Sequence, residues 1–535
     1  MSTTVARDRP LLLLIAGWMA FAVASITLRP LWPVDETRYA SVAWEMWERG
    51  SLLVPFVNGE PYAHKPPLLF WLIHAGWAVF GVNDWWPRLV APVCAIAAVP
   101  LITRIDRLLA SADEPPTTTP VWVLFGCLLF VAFITLTMFD LLLMVCAMIA
   151  IIGLVRAARG ERRAGFAWLG VGIGLGVLAK GPVILLHVLP VALVAPWWAP
   201  ATRTNAGRWY LGVFGGVLIG AMIGLAWAIP AALAGGEAYA RAIFWGQTAG
   251  RVSESFAHRA PVWYYVPLLP VMFFPWLVWP AFWRGAGMLR RDRGMRARFA
   301  IAWLALPLVA LSLVSGKQAK YVVPVLPAVA LLVGQAVARA RTARRYDLAL
   351  PALGFVGGAL ALVAVRALPA RFSLPAWAAE LPLWPAAALL AVAVVLFAAS
   401  RRSLELQMRA LAASMLVATF VLAAGLLPAL VPFNDVRPVA ARIAALQAQG
   451  IPVAFLGKYH AQYNFAGRLE QPVAILDDPE LAAWVAQHPN GRVVDIERER
   501  RGDSTRVPEF EAPFRGQWVQ LWRGPVLASM PAIVQ

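Results

Sequence analysis

The stretch RPLLLLIAGWMAFAVASITLRPLWPVDETRYA, Arg9 to Ala40, passes from an apolar run into a polar segment carrying Asp35-Glu36-Thr37-Arg38-Tyr39. A helix crossing hydrocarbon needs about 20 mostly apolar residues. In lipid every backbone N–H and C=O must be satisfied within the segment. The run from Leu11 to Leu28 meets that demand, and no small-residue cleavage site leading into a soluble domain follows it. It is therefore read as a retained transmembrane helix and not as a signal peptide. The acidic motif then stands at a membrane surface, in the first of a series of loops.

The composition extends this reading to most of the chain. Of 535 residues, 60% are hydrophobic and only 14% charged, against about a quarter charged in soluble globular chains. The formal charge of +18 is spread in short clusters between apolar runs. That is the pattern of orientation signals and not of a nucleic-acid patch. The 25 Trp residues gather near segment ends, at Trp32, Trp85-Trp86, Trp197-Trp198, Trp276, Trp279 and Trp283, as expected for rings at the lipid–water boundary or packed between helices. Cys94, Cys127 and Cys146 all fall in apolar stretches and form neither a disulfide framework nor a metal-type spacing.

Runs long enough to span lie near 11–28, 88–108, 120–137, 140–156, 164–182, 183–199, 209–233, 262–283, 299–314, 321–338, 347–366, 381–399 and 409–428, about 13 in all. A further apolar run, Pro66 to Phe80, contains His74 and follows a Pro pair; a surface or re-entrant helix fits it better than a span. With the N-terminus inside, Arg7 and Arg9, Arg104 and Arg107, Arg156 to Arg163, Arg203 and Arg208, Arg284 to Arg298, Arg339 to Arg345 and Arg401 to Arg409 all fall on inner loops, as the positive-inside rule demands. An odd number of spans then leaves the C-terminal segment outside.

That segment changes texture. Val436 to Gln449 has helical spacing, Pro452 to Leu456 reads as a strand, and Asp477 to Gln487 as an amphipathic helix. Arg492 to Ile496 and Gln517 to Trp522 read as further strands. The expected fold is an α-helical integral membrane protein with outer juxtamembrane helices (1–431) and a small α/β periplasmic domain (432–535). No internal repeat of the kind seen in two-halved transporters is visible.

The chain has five lysines, Lys65, Lys180, Lys317, Lys320 and Lys458, and in this topology all lie outside while the inner loops use Arg. One such lysine is readily explained as a snorkelling anchor. The set reads better as compact cations for an anion such as phosphate. The first outer loop adds a second polar cluster, Asn58-Gly59-Glu60-Pro61-Tyr62-Ala63-His64-Lys65-Pro66-Pro67. Asp35 begins a short amphipathic helix, where a carboxylate can cap the helix or pair with Arg38. Asp140 stands between two apolar runs with no other charge beside it. A carboxylate at such depth is a functional candidate, with a helix cap as the plainer explanation.

These motifs resemble a family. Asp-Glu-Thr-Arg-Tyr-Ala at 35–40, Asn58-Gly59 with Tyr62 and Lys65-Pro66, Ala179-Lys180-Gly181, His258-Arg259-Ala260-Pro261-Val262-Trp263-Tyr264-Tyr265, and Gly316-Lys317 with Tyr321 and Pro324 look like the bacterial 4-amino-4-deoxy-L-arabinose transferases of lipid A. These group with the protein O-mannosyltransferases in the C-type glycosyltransferase superfamily. The resemblance covers the whole membrane part in motif order, and the tail less specifically. It implies a donor of undecaprenyl-phosphate-linked aminoarabinose, a lipid A phosphate as acceptor, and a reaction at the periplasmic face of the inner membrane.

On this resemblance Asp35 and Asp140 are the candidate catalytic acids. Arg38, Tyr39, Tyr62, Lys65, Lys180, Arg251, His258, Lys317, Lys320 and Tyr321 are candidates for holding substrate. The residue before the first-loop lysine is expected to be acidic and is His64 here, which leaves a divalent metal on Glu60, His64 and His258 as a possible cofactor. An acceptor phosphate is already ionised, so Asp35 is expected to orient the acceptor or the sugar amine, or to steady positive charge at the anomeric carbon, more than to remove a proton. Rival readings are a related polyprenyl-phosphate-sugar transferase acting on protein or glycan, and a transporter of anionic lipid. A transporter would place charges mid-helix more often than at helix ends.

Overall fold

The computed structural model describes residues 8–112, 114–246, 259–289, 294–368, 371, 376–498, 500 and 506–530. Among the described residues, eight helices are long and apolar enough to cross a membrane. The first, α1, spans Arg9–Leu28. A surface element follows, α2 (Asp35–Glu48), then a two-residue hairpin of β1 (Phe56–Val57) with β2 (Glu60–Pro61), and α3 (Leu68–Phe80). At 13 residues α3 falls short of a span. The chain returns through α4 (Trp86–Leu109), with Pro87 in its first turn.

Next come α5 (Asp140–Ala158) and α6 (Arg162–Lys180), an antiparallel hairpin of two 19-residue helices. Small residues set its spacing. A methyl on Gly172 would stand 2.3 Å from the backbone nitrogen of Ala150, so only glycine allows this approach. The equal helix lengths and the tight turn bring the first residue of α5, Asp140, level with the last of α6, Lys180. The helix α8, named after the shorter α7 (Ile184–Leu193), spans Ala206–Arg241 and packs on α6. The bundle closes with α9 (Met295–Leu313), α10 (Leu326–Ala340), α11 (Ala349–Ala367), α12 (Trp384–Ala399) and α13 (Leu404–Leu430).

Several runs expected as single spans are broken. The run 120–137 divides into Thr119–Phe125 and Leu128–Phe133. Gly126 there lies against Trp276 and the backbone of Ala412, and the freed Leu128 N–H donates to the Phe274 carbonyl at 2.8 Å. The run 183–199 breaks after α7, where Pro196 opens a single turn, Ala195–Trp198. In 262–283, prolines 267, 270, 275 and 280 remove backbone donors and leave only short turns before the helix Pro280–Leu289. The tryptophans divide as well: Trp198, Trp276 and Trp279 are buried between helices, and Trp197 and Trp283 are exposed.

The arginine-rich end is more than a row of anchors. Arg296 pairs with buried Asp106, Arg339 with Glu114, and Arg284 with Asp347, so these cations also tie helix ends together.

At the opposite end stands a five-stranded sheet with helices, formed by the C-terminal residues. After α14 (Arg437–Ala448) come β3 (Val453–Leu456), β4 (Ala474–Leu476), α15 (Leu481–Gln487), β5 (Arg492–Glu497), β6 (Phe510–Phe514) and β7 (Gln517–Arg523). The strand order is β4-β3-β5-β7-β6. The first three strands are parallel, and β7 runs antiparallel to β5 and β6. Both faces carry apolar clusters, one around Ile443, Phe455 and Tyr463 and the other around Leu481, Val485 and Trp522.

The sheet is fastened to α2. Ser41 Oγ donates to the Ala461 carbonyl at 2.8 Å and accepts from the Phe465 N–H at 3.0 Å. The Trp44 indole reaches the Leu469 carbonyl at 3.3 Å, and Asn58 joins the backbone of Val473.

Candidate active site

The site begins where α2 begins. Glu36 is buried and accepts from four donors: Arg29 Nη1 at 2.6 Å, Arg29 Nη2 at 3.4 Å, the Trp32 N–H at 2.9 Å and the Thr137 N–H at 2.6 Å. One carboxylate thus ties the end of α1, the start of α2 and the loop before α5. Burying a charge is tolerable only when it is paired and hydrogen-bonded in this way. Its neighbour Asp35 turns the other way, with 35% of its side chain exposed.

Three cations attend Asp35. Arg38, one turn along α2, pairs with Oδ1, and Lys320 reaches Oδ2 at 3.1 Å. Lys65 adds its charge from the first loop. Burial raises the carboxyl pKa, but the three cations outweigh it and hold Asp35 below the usual carboxylate range. This corner therefore combines one ionised acid with an excess of positive charge, an arrangement suited to an anionic group beside a carboxylate.

Tyr39 lies between the two acids. It is buried, its ring meets Phe139 edge-on at 4.9 Å, and it feels Asp35, Tyr62 and Asp140, so that burial and neighbouring negative charge push its phenol well above the ordinary value. Lys65 stands over the Phe139 ring at 6.0 Å, and Tyr62 stacks on His64 at 5.2 Å. Next to Phe139, Asp140 binds Lys180 Nζ at 2.5 Å, with 1% and 9% of the two side chains exposed. Lys180 in turn lies over the Tyr321 ring at 4.8 Å. The hairpin register of α5 and α6 makes this pair, and the 3-10 helix after α9 (Ala319–Val325) brings Lys320 to Asp35 and Tyr321 to Lys180.

Of the residues expected at the site, Asp35, Arg38, Tyr39, Tyr62, Lys65, Asp140, Lys180, Lys320 and Tyr321 gather here. Lys317 does not face the acids. It is buried and donates to the Ala260 carbonyl at 2.8 Å, fixing the loop after α9 to the segment at Arg259. Arg251 and His258 lie outside the described residues. Glu60 is exposed in the β1–β2 hairpin and His64 is stacked on Tyr62. Among the described residues no group of three or more His, Cys, Asp or Glu is arranged to hold a metal ion.

Two contributors were not singled out from the sequence. Glu36 was visible only as part of a motif. His460, from the loop after β3, lies within the fields of Asp35 and Arg38. Burial first, then Arg38, Lys458 and Arg515, hold its pKa below the ordinary histidine value. The docking of Ala461 on Ser41 is what carries it there.

The chain is similar to known proteins. Residues 64–230 match the family model described as dolichyl-phosphate-mannose-protein mannosyltransferase. An undecaprenyl phosphate-alpha-4-amino-4-deoxy-L-arabinose arabinosyl transferase of Pseudomonas fluorescens is 32% identical over 322 residues, 58% of this chain and 56% of that protein. One from Pseudomonas aeruginosa is 32% identical over 366 residues, 66% of this chain and 64% of that protein. The matched stretch thus spans less than two thirds of the length of these curated relatives. In three dimensions, the crystal structure of ArnT from Cupriavidus metallidurans bound to undecaprenyl phosphate superimposes with a TM-score of 0.74 at 18% identity, covering 97% of this chain and 99% of that one. At that identity the likeness speaks for the fold. Over part of its length the chain is thus similar to the aminoarabinosyl transferases and to the mannosyltransferase family model, and over nearly all of it the chain has the fold of ArnT.

Proposed function

We propose that the chain transfers 4-amino-4-deoxy-L-arabinose from undecaprenyl phosphate to a phosphate of lipid A, at the periplasmic face of the bacterial inner membrane. The observation that carries this reading is the Asp35 corner: one ionised carboxylate with Arg38, Lys320 and Lys65 around it, at the end of the bundle opposite the arginine-rich one. Residues 1–431 form the membrane catalytic part and residues 432–535 a periplasmic domain.

In this reaction a phosphate oxygen of the acceptor attacks the anomeric carbon of the sugar. The bond from that carbon to the donor phosphate oxygen breaks with its electron pair, so undecaprenyl phosphate leaves with one further negative charge. The acceptor loses one as it becomes a diester. No proton need move. Lys320, Arg38 and Lys65 steady the phosphates, one gaining and one losing charge. Asp35 faces the positive charge that builds at the sugar ring, or the sugar's ammonium group. Asp140, held by Lys180, keeps Tyr39 and Tyr321 in place.

The product carries an added cation on an anionic lipid, which weakens the hold of cationic antimicrobial peptides such as polymyxin on that surface. Expression in a host lacking its own transferase tests the proposal: lipid A should gain the mass of one aminoarabinose residue. Unchanged lipid A mass with undecaprenyl-phosphate-linked donor present would exclude the reaction, and lipid movement without a mass change would favour a transporter.

A further inference from the structure

The C-terminal sheet contains a cavity that the transfer reaction, as derived above, does not use. Its volume is about 590 Å³, within the range of small-molecule sites. It opens at the carboxyl ends of the parallel strands. The chain leaves β3 toward β4 on one side, then crosses to β5 on the other. Ligands in open α/β sheets bind at such a switch point. The loop after β3 has a lone glycine, Gly457 at φ +83, in place of the glycine-rich turn of dinucleotide folds.

The lining has two characters. Lys458, from the end of β3, and Arg515, from the β6–β7 turn, are cationic; Asp477 and Asp478, after β4, and Asp495 and Glu497, on β5, are acidic. Gln462 and Gln517 add amides that both donate and accept. Bare phosphate would meet the carboxylates unfavourably, and a neutral sugar would leave the cations without an anion. A ligand that satisfies both offers hydroxyl or ammonium donors on one side and an anionic group on the other.

The cavity is also placed beside the candidate active site. Val34, the residue before Asp35, forms part of its wall, as does His460, which lies within the fields of Arg38 and Asp35. The hydrogen bonds of Ser41 to Ala461 and Phe465 fix this loop on α2. A ligand in the cavity would lie next to the Asp35 corner.

We propose that this cavity binds the sugar-phosphate headgroup of the acceptor and presents its phosphate to Asp35, Arg38 and Lys320. The inference rests on the transfer reading above for the identity of the acceptor. Asp478 and Glu497 take the hydroxyl and N–H hydrogens of the sugar; Lys458 and Arg515 take the second phosphate of a bis-phosphorylated headgroup.

The test uses the full-length protein in detergent, titrated by calorimetry with a phosphorylated glucosamine disaccharide freed of its acyl chains. Inorganic phosphate and the unphosphorylated disaccharide serve as separate probes. The phosphorylated disaccharide should bind more tightly than either probe alone. Lys458→Gln combined with Glu497→Gln should weaken it at least tenfold, as should the single change Asp478→Asn to a smaller degree. Glu470→Gln, outside the cavity lining, should leave binding unchanged. Thermal unfolding confirms that each variant is folded, and Asp478→Asn, at an exposed position, keeps the test open should the double variant fail. Cavity variants that bind the headgroup as the unaltered protein does would overturn the inference, and so would a protein that binds phosphate equally well alone. Loss of headgroup binding in the cavity variants, with no sugar transfer by the unaltered protein, would support the cavity as a sugar-phosphate site and remove the transfer reading.

Discussion

Asp35 and Asp140 each begin a helix, and each has a lysine within hydrogen-bond reach, yet their surroundings differ. Asp140 is almost fully buried and matched one-to-one by Lys180. Asp35 is a third exposed and shares three cations that outnumber it. A buried, balanced pair has little freedom to answer to a ligand. A half-exposed carboxylate amid surplus positive charge has room beside it for an anion and remains ionised while that anion comes and goes. On the proposed reaction, this difference gives Asp140 a supporting part and Asp35 a part in the chemistry.

The largest effect that could break this contrast comes from leaving Asp140 without its partner. Lys180→Met should cost about 3–5 kcal/mol of stability, because an uncompensated buried charge remains. The double change Lys180→Met with Asp140→Leu should recover most of it in thermal unfolding of the detergent-solubilised protein. If the single change is tolerated, Asp140 is not the supporting member. Next in size, Asp35→Asn should lower transfer about 10²–10³-fold, as removal of one electrostatic group at a reacting centre does, with the unfolding temperature unchanged. Loss of stability without loss of turnover would reverse the two roles.

A smaller effect, about tenfold on transfer, is expected for Lys320→Met, and it sharpens the comparison through pH. The cations hold the Asp35 pKa below its unfolded value of 3.8. The stability that this ionised group contributes is thus fully present above about pH 3.8 and is lost as pH falls through the lower folded value. Removing Lys320 raises the folded value, so the acid limb of the transfer profile should move upward. An unmoved limb would mean that Lys320 does not govern Asp35. The smallest effect is expected from Ser41→Ala, about 1 kcal/mol. Its signature is faster amide exchange in the Gly457–Leu469 segment, with α5 and α6 unaffected.

Much of this was legible in the sequence, and the exceptions share a cause. The strands Val453–Leu456, Arg492–Glu497 and Gln517–Arg523 stand out because apolar, β-branched runs lie between turn residues. Ala474–Leu476 is too short to show a pattern, and Pro513 masks β6. The break at Gly126 is invisible locally, since the residues on both sides are apolar; Trp276 and Ala412 create it from elsewhere in the fold. The lysine census picked out Lys65, Lys180 and Lys320, which the structure gathers near the two acids, without separating Lys317 from them. Three residues apart in sequence, Lys317 holds a carbonyl and Lys320 a carboxylate, because only tertiary placement decides which partner each can reach. His460 lay beyond any local pattern: its relation to Asp35 depends on how the sheet docks on α2.

The glycine-lined hairpin of α5 and α6 makes a set of tweezers with Asp140 and Lys180 at its tips. At about 1.5 Å per residue, Gly172 sits about 12 Å from the Lys180 end. A single methyl there, wedged against Ala150, would pry the arms apart and be felt first at the tips, where a contact of 2.5 Å has little slack. The spacing of two charges beside the candidate site is thus written partly in residues that carry no side chain at all.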